Sequence, residues 1–322
     1  MLKTLGMHDT FSQRTILVLC DKGKTGTLRQ CEAIAYPLAD HFNAHVTLID
    51  VDLPFWYKFF TPFLSRHWPL KFTPKHNLLS EKPFLIIAAG RQAFVLAAPL
   101  AKHIPTIALL NPRCSHDYFK IIIPPQHDGV GSYPNVIETL GALHPHKAAS
   151  FEATEKNQNT HTLTVLLGGD SKHYRFQNAD FSELATYLKQ KMSLIPNAQL
   201  LITASRRTPP HGIHILQTEL AGLNVTFWNG DGINPYFNYL GSADEILVTG
   251  DSISMISEAC YMGKPVEIWP LPVKNKRFHR FYNEIIKNQH AVFANTSWPA
   301  KFAPLRERDR VLPLVINLLE RI

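Results

Sequence analysis

Short, unbroken apolar runs alternate along this chain with longer stretches whose apolar residues recur at helical spacing. Residues 15–20 (TILVLC) form the first such run, the pattern of a strand covered on both faces. A polar turn, Asp21-Lys22-Gly23-Lys24-Thr25-Gly26-Thr27, leads from it into a helical stretch over 31–42. Further strands are predicted at 45–51, 84–89, 106–110 and 120–123, with helical stretches such as 93–102 between several of them. This alternation predicts a parallel sheet with helices on both faces.

Residues 141–161 (GALHPHKAASFEATEKNQNTH) are polar, with little apolar periodicity, and read as a linker. The pattern then restarts, with strands at 162–167, 199–203, 225–228, 245–249 and 266–269, and helices at 181–194, 254–262 and 306–322. The expected fold is therefore α/β, with two Rossmann-like domains, 1–145 and 160–303, whose parallel sheets face each other across a cleft. The stretch 304–322 is expected to pack back on the first domain. In open α/β sheets, ligands bind outside the carboxyl ends of the strands, and here those ends carry the unusual sequences.

Composition narrows the class. The chain has 322 residues, of which 45% are hydrophobic and 18% charged, which suits two domains of about 150 residues each and excludes a disordered or fibrous chain. No run of about 18 apolar residues exists, so no ordinary transmembrane helix is expected. Residues 1–14 lack the apolar core of a secretory signal. Cys20, Cys31, Cys114 and Cys260 are scattered, with no CxxC and no zinc spacing, as expected of reduced thiols in a cytoplasmic protein.

Charge adds a direction. The net charge is +7, and residues 1–150 hold 15 basic against 10 acidic side chains. That excess favours an anionic partner, whether nucleic acid, phospholipid or phosphorylated substrate. Residues 53–72 (LPFWYKFFTPFLSRHWPLKF) carry eight aromatics, three basic residues and no acid. Rings beside cations suit a bilayer interface with anionic lipid, and Pro54, Pro62 and Pro69 preclude one uninterrupted helix. A buried aromatic cap and nucleic-acid stacking are the alternatives. With no nucleic-acid fold elsewhere, the expected partner is an anionic membrane surface, met peripherally, and no nucleic acid.

The second half offers an anion-binding constellation. Gly168-Gly169-Asp170-Ser171 leaves a strand with two small residues, which suits close approach of backbone amides to a phosphate. Gly250-Asp251-Ser252-Ile253-Ser254 precedes a helix that Ser252 or Ser254 can cap, and Glu258 lies one turn beyond Ser254, placed to accept bonds from ribose hydroxyls. Each loop alone is as well explained by tight turns and caps. Together with Ser205-Arg206-Arg207-Thr208 they favour a nucleotide, with Arg206 or Arg207 on its diphosphate. The base that deprotonates an acceptor is expected in the first domain, His127 with Asp128 ahead of Asp21. Lys22, Lys24 and Arg113 are either acceptor-binding or ordinary surface charges.

Several other patterns fail. Gly23-Lys24-Thr25 resembles the end of a P-loop, but Val18 stands where its first glycine belongs. Gly129-x-Gly131 and Gly230-x-Gly232 meet Pro134 and Pro235 where a dinucleotide fingerprint requires its third glycine, which disfavours an NAD-dependent epimerase. Asp50-Val51-Asp52 has the spacing of a metal-dependent transferase but closes a strand, and is read as structural.

Gly168-Gly169-Asp170-Ser171, Ser205-Arg206-Arg207-Thr208-Pro209, Asn234-Pro235-Tyr236 and the run from Thr249 through Gly250, Asp251, Ser252, Ser254, Met255 and Glu258 to Ala259 resemble the ELM-type mitochondrial fission protein family. Asn111-Pro112-Arg113, Pro124-Pro125-Gln126-His127-Asp128 and the run from Asn135 to His144 are similar to the same family. Thr27 departs from the histidine expected in many of its members. The resemblance implies the two-domain fold of GT-B glycosyltransferases. Residues 242–265 are also similar to the donor-sugar region of the enzyme that adds N-acetylglucosamine to the lipid-linked peptidoglycan precursor. It thus implies a nucleotide-sugar as donor substrate, with no resident cofactor and no metal, and transfer to a membrane-associated acceptor. A non-catalytic recruitment protein on the same scaffold is the alternative, because the family's name connects it with fission.

Overall fold

The computed structural model describes residues 14–54, 82–145 and 159–321, save 173, 229 and 231. Its chain sorts into two compact units, one of Met1–Pro124, Val130–Glu138 and Arg310–Ile322 and the other of Pro125–Gly129 and Thr139–Asp309.

The first unit is built on β1 (Arg14–Asp21), α1 (Thr25–Phe42), β2 (Ala44–Val51), β3 (Leu85–Ala89), α2 (Arg91–Leu100), β4 (Thr106–Leu109) and β5 (Ile121–Ile123). Its strands lie in the order β2-β1-β3-β4-β5, all parallel. Position in the sheet explains composition: β1 and β3 are central and apolar on both faces, whereas edge strand β2 exposes His45, Thr47, Leu48 and Asp50. In α1, Cys31, Ile34, Ala35 and Leu38 form the buried stripe, and Asn43 ends the helix in the left-handed region. Cys20 and Cys31 are both buried, and the Cys20 thiol donates to the Asp21 carbonyl at 3.8 Å. Residues 310–319 complete this unit, with Val311 and Val315 fully buried and His41 bonded to Glu320 at 2.9 Å.

The second unit comprises β6 (His161–Leu167), α3 (Asn178–Ser193), β7 (Ala198–Ala204), α4 (Pro210–Glu219), β8 (Val225–Trp228), α5 (Tyr236–Ser242), β9 (Glu245–Thr249), α6 (Ile253–Tyr261), β10 (Val266–Trp269), α7 (Lys276–Lys287), β11 (Val292–Phe293) and the start of α8 (Glu307–Leu319). Its six-stranded sheet runs β11-β10-β9-β6-β7-β8, again all parallel. The core is one cluster that includes Val165, Phe181, Leu184, Ile202, Leu247, Ile256, Phe281 and Ile285. At the amino-terminal edge of the sheet, Lys191 is paired with the buried carboxylates of both Glu245 and Glu267.

In each unit the strand order reverses direction at one place, between β1 and β3 and between β6 and β9. Such switch points open a crevice at the carboxyl ends of the strands. Asp21 and Gly90 border the first crevice, and Gly168 and Asp251 the second. Among the described residues no helix is long and apolar enough to cross a membrane.

Candidate functional site

At the β6–β9 switch point the side chain of Asp251 turns inward, with its carboxylate fully buried. It accepts the Gly169 amide at 2.9 Å and the Thr249 hydroxyl at 2.7 Å. Burial pushes its pKa up, and these bonds together with Arg207, 3.7 Å away, oppose that rise. A Cβ on Gly168 would fall inside this carboxylate, and one on Gly169 would fall on the backbone of Arg207. The two glycines are therefore required by the packing of the chain on itself.

The amides of this loop are committed in the same way. Gly168 N–H donates to Thr249 Oγ1 at 2.7 Å, Asp170 N–H to the Arg207 carbonyl at 3.0 Å, and Ser171 N–H to the Tyr174 carbonyl at 2.8 Å. Arg207 Nη1 donates to the carbonyls of Gly169 and Asp170, at 3.2 and 2.9 Å. The Ser205 hydroxyl accepts the Arg207 amide at 3.1 Å, and Thr208 Oγ1 takes the Ser205 amide at 2.9 Å while bonding to the Gly168 carbonyl. The close approach that the glycines suggested in sequence is spent on this lattice, and no amide from Gly168 to Ser171 is left for a phosphate. Asp170, Ser171, Lys172, Tyr174 and Arg175 instead line an open depression of about 740 Å³.

Uncommitted groups begin at α6. Ser252 caps the helix, its hydroxyl accepting the Met255 amide at 3.4 Å. The amides of Ile253 and Ser254 donate to no described residue. Gly250 is buried, its amide bonded to Trp269 and its carbonyl to the Tyr282 hydroxyl. Met255 is half-buried, and Glu258, one turn beyond Ser254, accepts the Tyr236 hydroxyl at 2.5 Å. Asn234 Oδ1 accepts the Tyr236 amide at 2.9 Å and the Thr203 hydroxyl at 3.2 Å, which ties α5 to the exit of β7. Arg206 is exposed and pairs with no described residue. The Tyr236–Glu258 contact was not foreseen from sequence, although Tyr236 stands in one of the quoted motifs.

The three candidate bases are placed differently. Asp21 is 9% exposed and accepts the amides of Gln92 and Ala93 at 3.0 and 2.9 Å, so it caps α2. Burial raises its pKa against the pull of those amides. His127 and Asp128 form a 3₁₀ turn that clusters with the second unit, whereas the sequence had placed them in the first. The reason is local: the Gln126 amide bonds to Thr139 at 2.7 Å, and the His127 ring packs edge-on against Phe281 of α7. Burial, then the charges of Arg277 and Arg280, lower the pKa of His127 to about 4. An imidazole so depressed is a weak proton acceptor at neutral pH. Asp128 is ion-paired with Arg277. Helical spacing of Phe278, Phe281, Tyr282 and Ile285 was the signal that could have revealed α7 and its two arginines.

Of the remaining candidates, Asp52 pairs with Lys22 at 3.4 Å on the surface, and Asp50 is exposed at the sheet edge. Arg113 is exposed in a left-handed conformation, φ 56°. The aromatic segment 53–72 lies outside the described residues from 55 onward. All four cysteines are free thiols. Among the described residues no three His, Cys, Asp or Glu side chains are arranged to hold a metal ion.

Two all-parallel α/β units with ligand-type strand exits define a GT-B-like protein. The chain belongs to the mitochondrial fission ELM1 family, whose profile matches residues 25–319. It is 27% identical to an uncharacterised protein of Rickettsia prowazekii, across 93% of this chain and 97% of that one. It is 29% identical to the mitochondrial fission protein ELM1 of Arabidopsis thaliana, across 58% of this chain and 52% of the plant protein. Among solved structures, the UDP-GlcNAc 2-epimerase of Methanocaldococcus jannaschii matches with a TM-score of 0.58 at 12% identity, covering 95% of this chain and all of that one. The glycotransferase of kitacinnamycin matches with a TM-score of 0.51 at 12% identity, covering 95% and 90%. At these identities the likeness is one of fold.

Proposed function

We propose that the second unit holds a nucleotide-sugar at the exits of β7 and β9, and that the chain is a glycosyltransferase-like protein serving a membrane-associated acceptor. The observation that carries this reading is the start of α6. Two uncommitted amides and a serine cap stand at a helix N-terminus, a ready seat for a diphosphate. Arg206 would meet the same anion with a planar fork and stabilise it as a leaving group. Glu258, aimed by Tyr236, would take the ribose hydroxyls. Gly168, Gly169 and Arg207 then shape the loop without touching the ligand. Arginine and backbone supply the positive charge, so a metal ion is not required. The shared fold with an enzyme named for UDP-GlcNAc agrees with this ligand class.

Calorimetric titration with UDP-GlcNAc, UDP-glucose and their GDP counterparts tests it. Binding that weakens roughly tenfold in Arg206→Ala and in Glu258→Gln is the expected result, with transfer insensitive to EDTA. Absence of heat with every nucleotide-sugar sinks the reading.

A second reading, a non-catalytic recruitment protein, is favoured by one observation. Asp21 caps a helix, Asp128 is ion-paired and His127 is buried and weakly basic, so all three candidate bases are occupied in structural roles. Under it nucleotide binds but neither transfer nor donor hydrolysis follows. In both readings residues 53–72 carry the membrane contact. Trp56→Ala, Phe59→Ala and Phe60→Ala are expected to reduce co-sedimentation with anionic liposomes, and unchanged sedimentation removes the membrane from the proposal.

A further inference from the structure

The turn that carries His127 and Asp128 rests against the start of α7, and there the chain gathers more positive charge than it neutralises. Asp128 is paired with Arg277. Gly129 is left-handed, φ 64°, and a Cβ there would come within 2.9 Å of Arg280 Nη1, so the turn approaches that guanidinium with no side chain between them. Lys274, Lys276 and Arg280 are exposed, and no described residue forms an ion pair with them. The first turn of α7 contains no acid, although the positive end of a helix favours anions and disfavours cations. Among the described residues, Asp128 is the one carboxylate ion-paired with these four cations, in a place where the helix adds further positive potential. The only acid within α7 is Glu284, one turn beyond Arg280, and no ion pair joins the two.

We propose that Arg277 and Arg280, with the turn Gln126–Gly129 packed against them, form a subsite for a phosphoryl group. The residues assigned to the nucleotide do not include them, so the inference stands apart from that reading. Two guanidinium groups offer planar donor forks that match phosphate oxygens, and a dianion offsets an excess of positive charge better than a carboxylate does. Arg280 donates to no described residue, and Arg277 keeps the donors that Asp128 leaves. His127 completes the arrangement: it is 6% exposed, its Nδ1 has no hydrogen-bond partner among the described residues, and it feels both guanidinium charges. A bound phosphoryl group would screen those charges and make the imidazole more basic.

The test uses the full chain and inorganic phosphate, with His127 observed by nitrogen-detected NMR. Saturable binding is expected in the wild type, with the His127 titration moving up from about 4 as phosphate fills the site. Arg280→Gln is expected to weaken the phosphate dependence of the His127 shift roughly tenfold, and Arg280→Lys to restore part of it. Unsaturable binding in the wild type, or equal affinity in Arg280→Gln, overturns the proposal. So does phosphate binding that leaves the His127 titration where it was, which assigns the ion to another site. UDP titration of Arg280→Gln reports separately on the nucleotide reading, because that variant leaves α6 and Arg206 intact. A second arm tells the source of the phosphoryl group. Vesicle recruitment that needs phosphatidic acid in phosphatidylcholine and is lost in Arg280→Gln identifies a lipid headgroup. Phosphate binding without such recruitment identifies a soluble phosphorylated ligand.

Discussion

Gly168 and Gly169 show how one residue type can be required for a reason other than the one its sequence context suggests. A methyl group at either position collides with Asp251 or with the Arg207 backbone, neither of which can retreat. Gly168→Ala is therefore expected to lower stability by about 1–3 kcal/mol, or to prevent folding of the second unit, as read by thermal or urea denaturation. His127 makes a second prediction at this scale. Its folded pKa of about 4 lies below the ordinary value of 6.5, so between those values the unfolded chain binds a proton that the folded chain refuses. The stabilisation is full above about pH 6.5 and declines as pH falls towards 4, by at most about 1.4 kcal/mol per pH unit. Urea midpoints measured across that window are expected to fall more steeply for the wild type than for His127→Gln. Equal slopes would show that His127 titrates freely.

Among the elements, Asp21 and α2 form the clearest unit of cause and effect. The carboxylate ending β1 satisfies amides at the start of α2, which has no other side-chain cap among the described residues. Asp21→Ala is expected to destabilise the first unit by about 1–2 kcal/mol, seen as faster amide exchange in residues 91–94, with Asp21→Asn recovering part of the loss. The strands were legible in sequence because parallel strands buried on both faces are unbroken apolar runs, and each of the ten foreseen is present. Elements that went unread had weaker or masked patterns. α4 begins after Thr208-Pro209 with two histidines in its first turns, α5 is seven residues long, and β11 is two. In α7 six charged or histidine side chains hide a regular apolar stripe. The site residues followed the same rule. Loop glycines, serines and arginines could be found from sequence, but which of them serve the fold and which stay open depends on partners up to 82 positions away, as between Gly169 and Asp251.

For the whole molecule, the order of residues along the chain does not coincide with the two units. The first unit takes its last helical segment from the far end of the chain, through buried Val311, Val315 and Leu319 and bonds from Arg310 to Glu138 and from His41 to Glu320. Truncation after Asp309 is therefore expected to loosen β1 and α1 while β6, β7 and β9 keep their protection, as measured by hydrogen exchange. Uniform loss across both units would contradict the division. At this scale the family and the two-sheet architecture were both legible, because motifs at several strand exits occur together. Membership of the turn at 125–129 was not, because it depends on packing against α7, some 150 residues later.

The two switch points also have a joint consequence. Asp21 and Asp251 each place a carboxylate of the chain in the crevice where doubly wound sheets ordinarily receive a guest. In both units, then, the fold is its own ligand: an internal anion already occupies the inner seat and holds the neighbouring strand exits in register. A nucleotide of the kind proposed above would meet a closed floor at that depth. On the reading proposed above it would be recognised at the outer rim, by a helix end and an arginine, and selectivity among guests would rest on their peripheral groups.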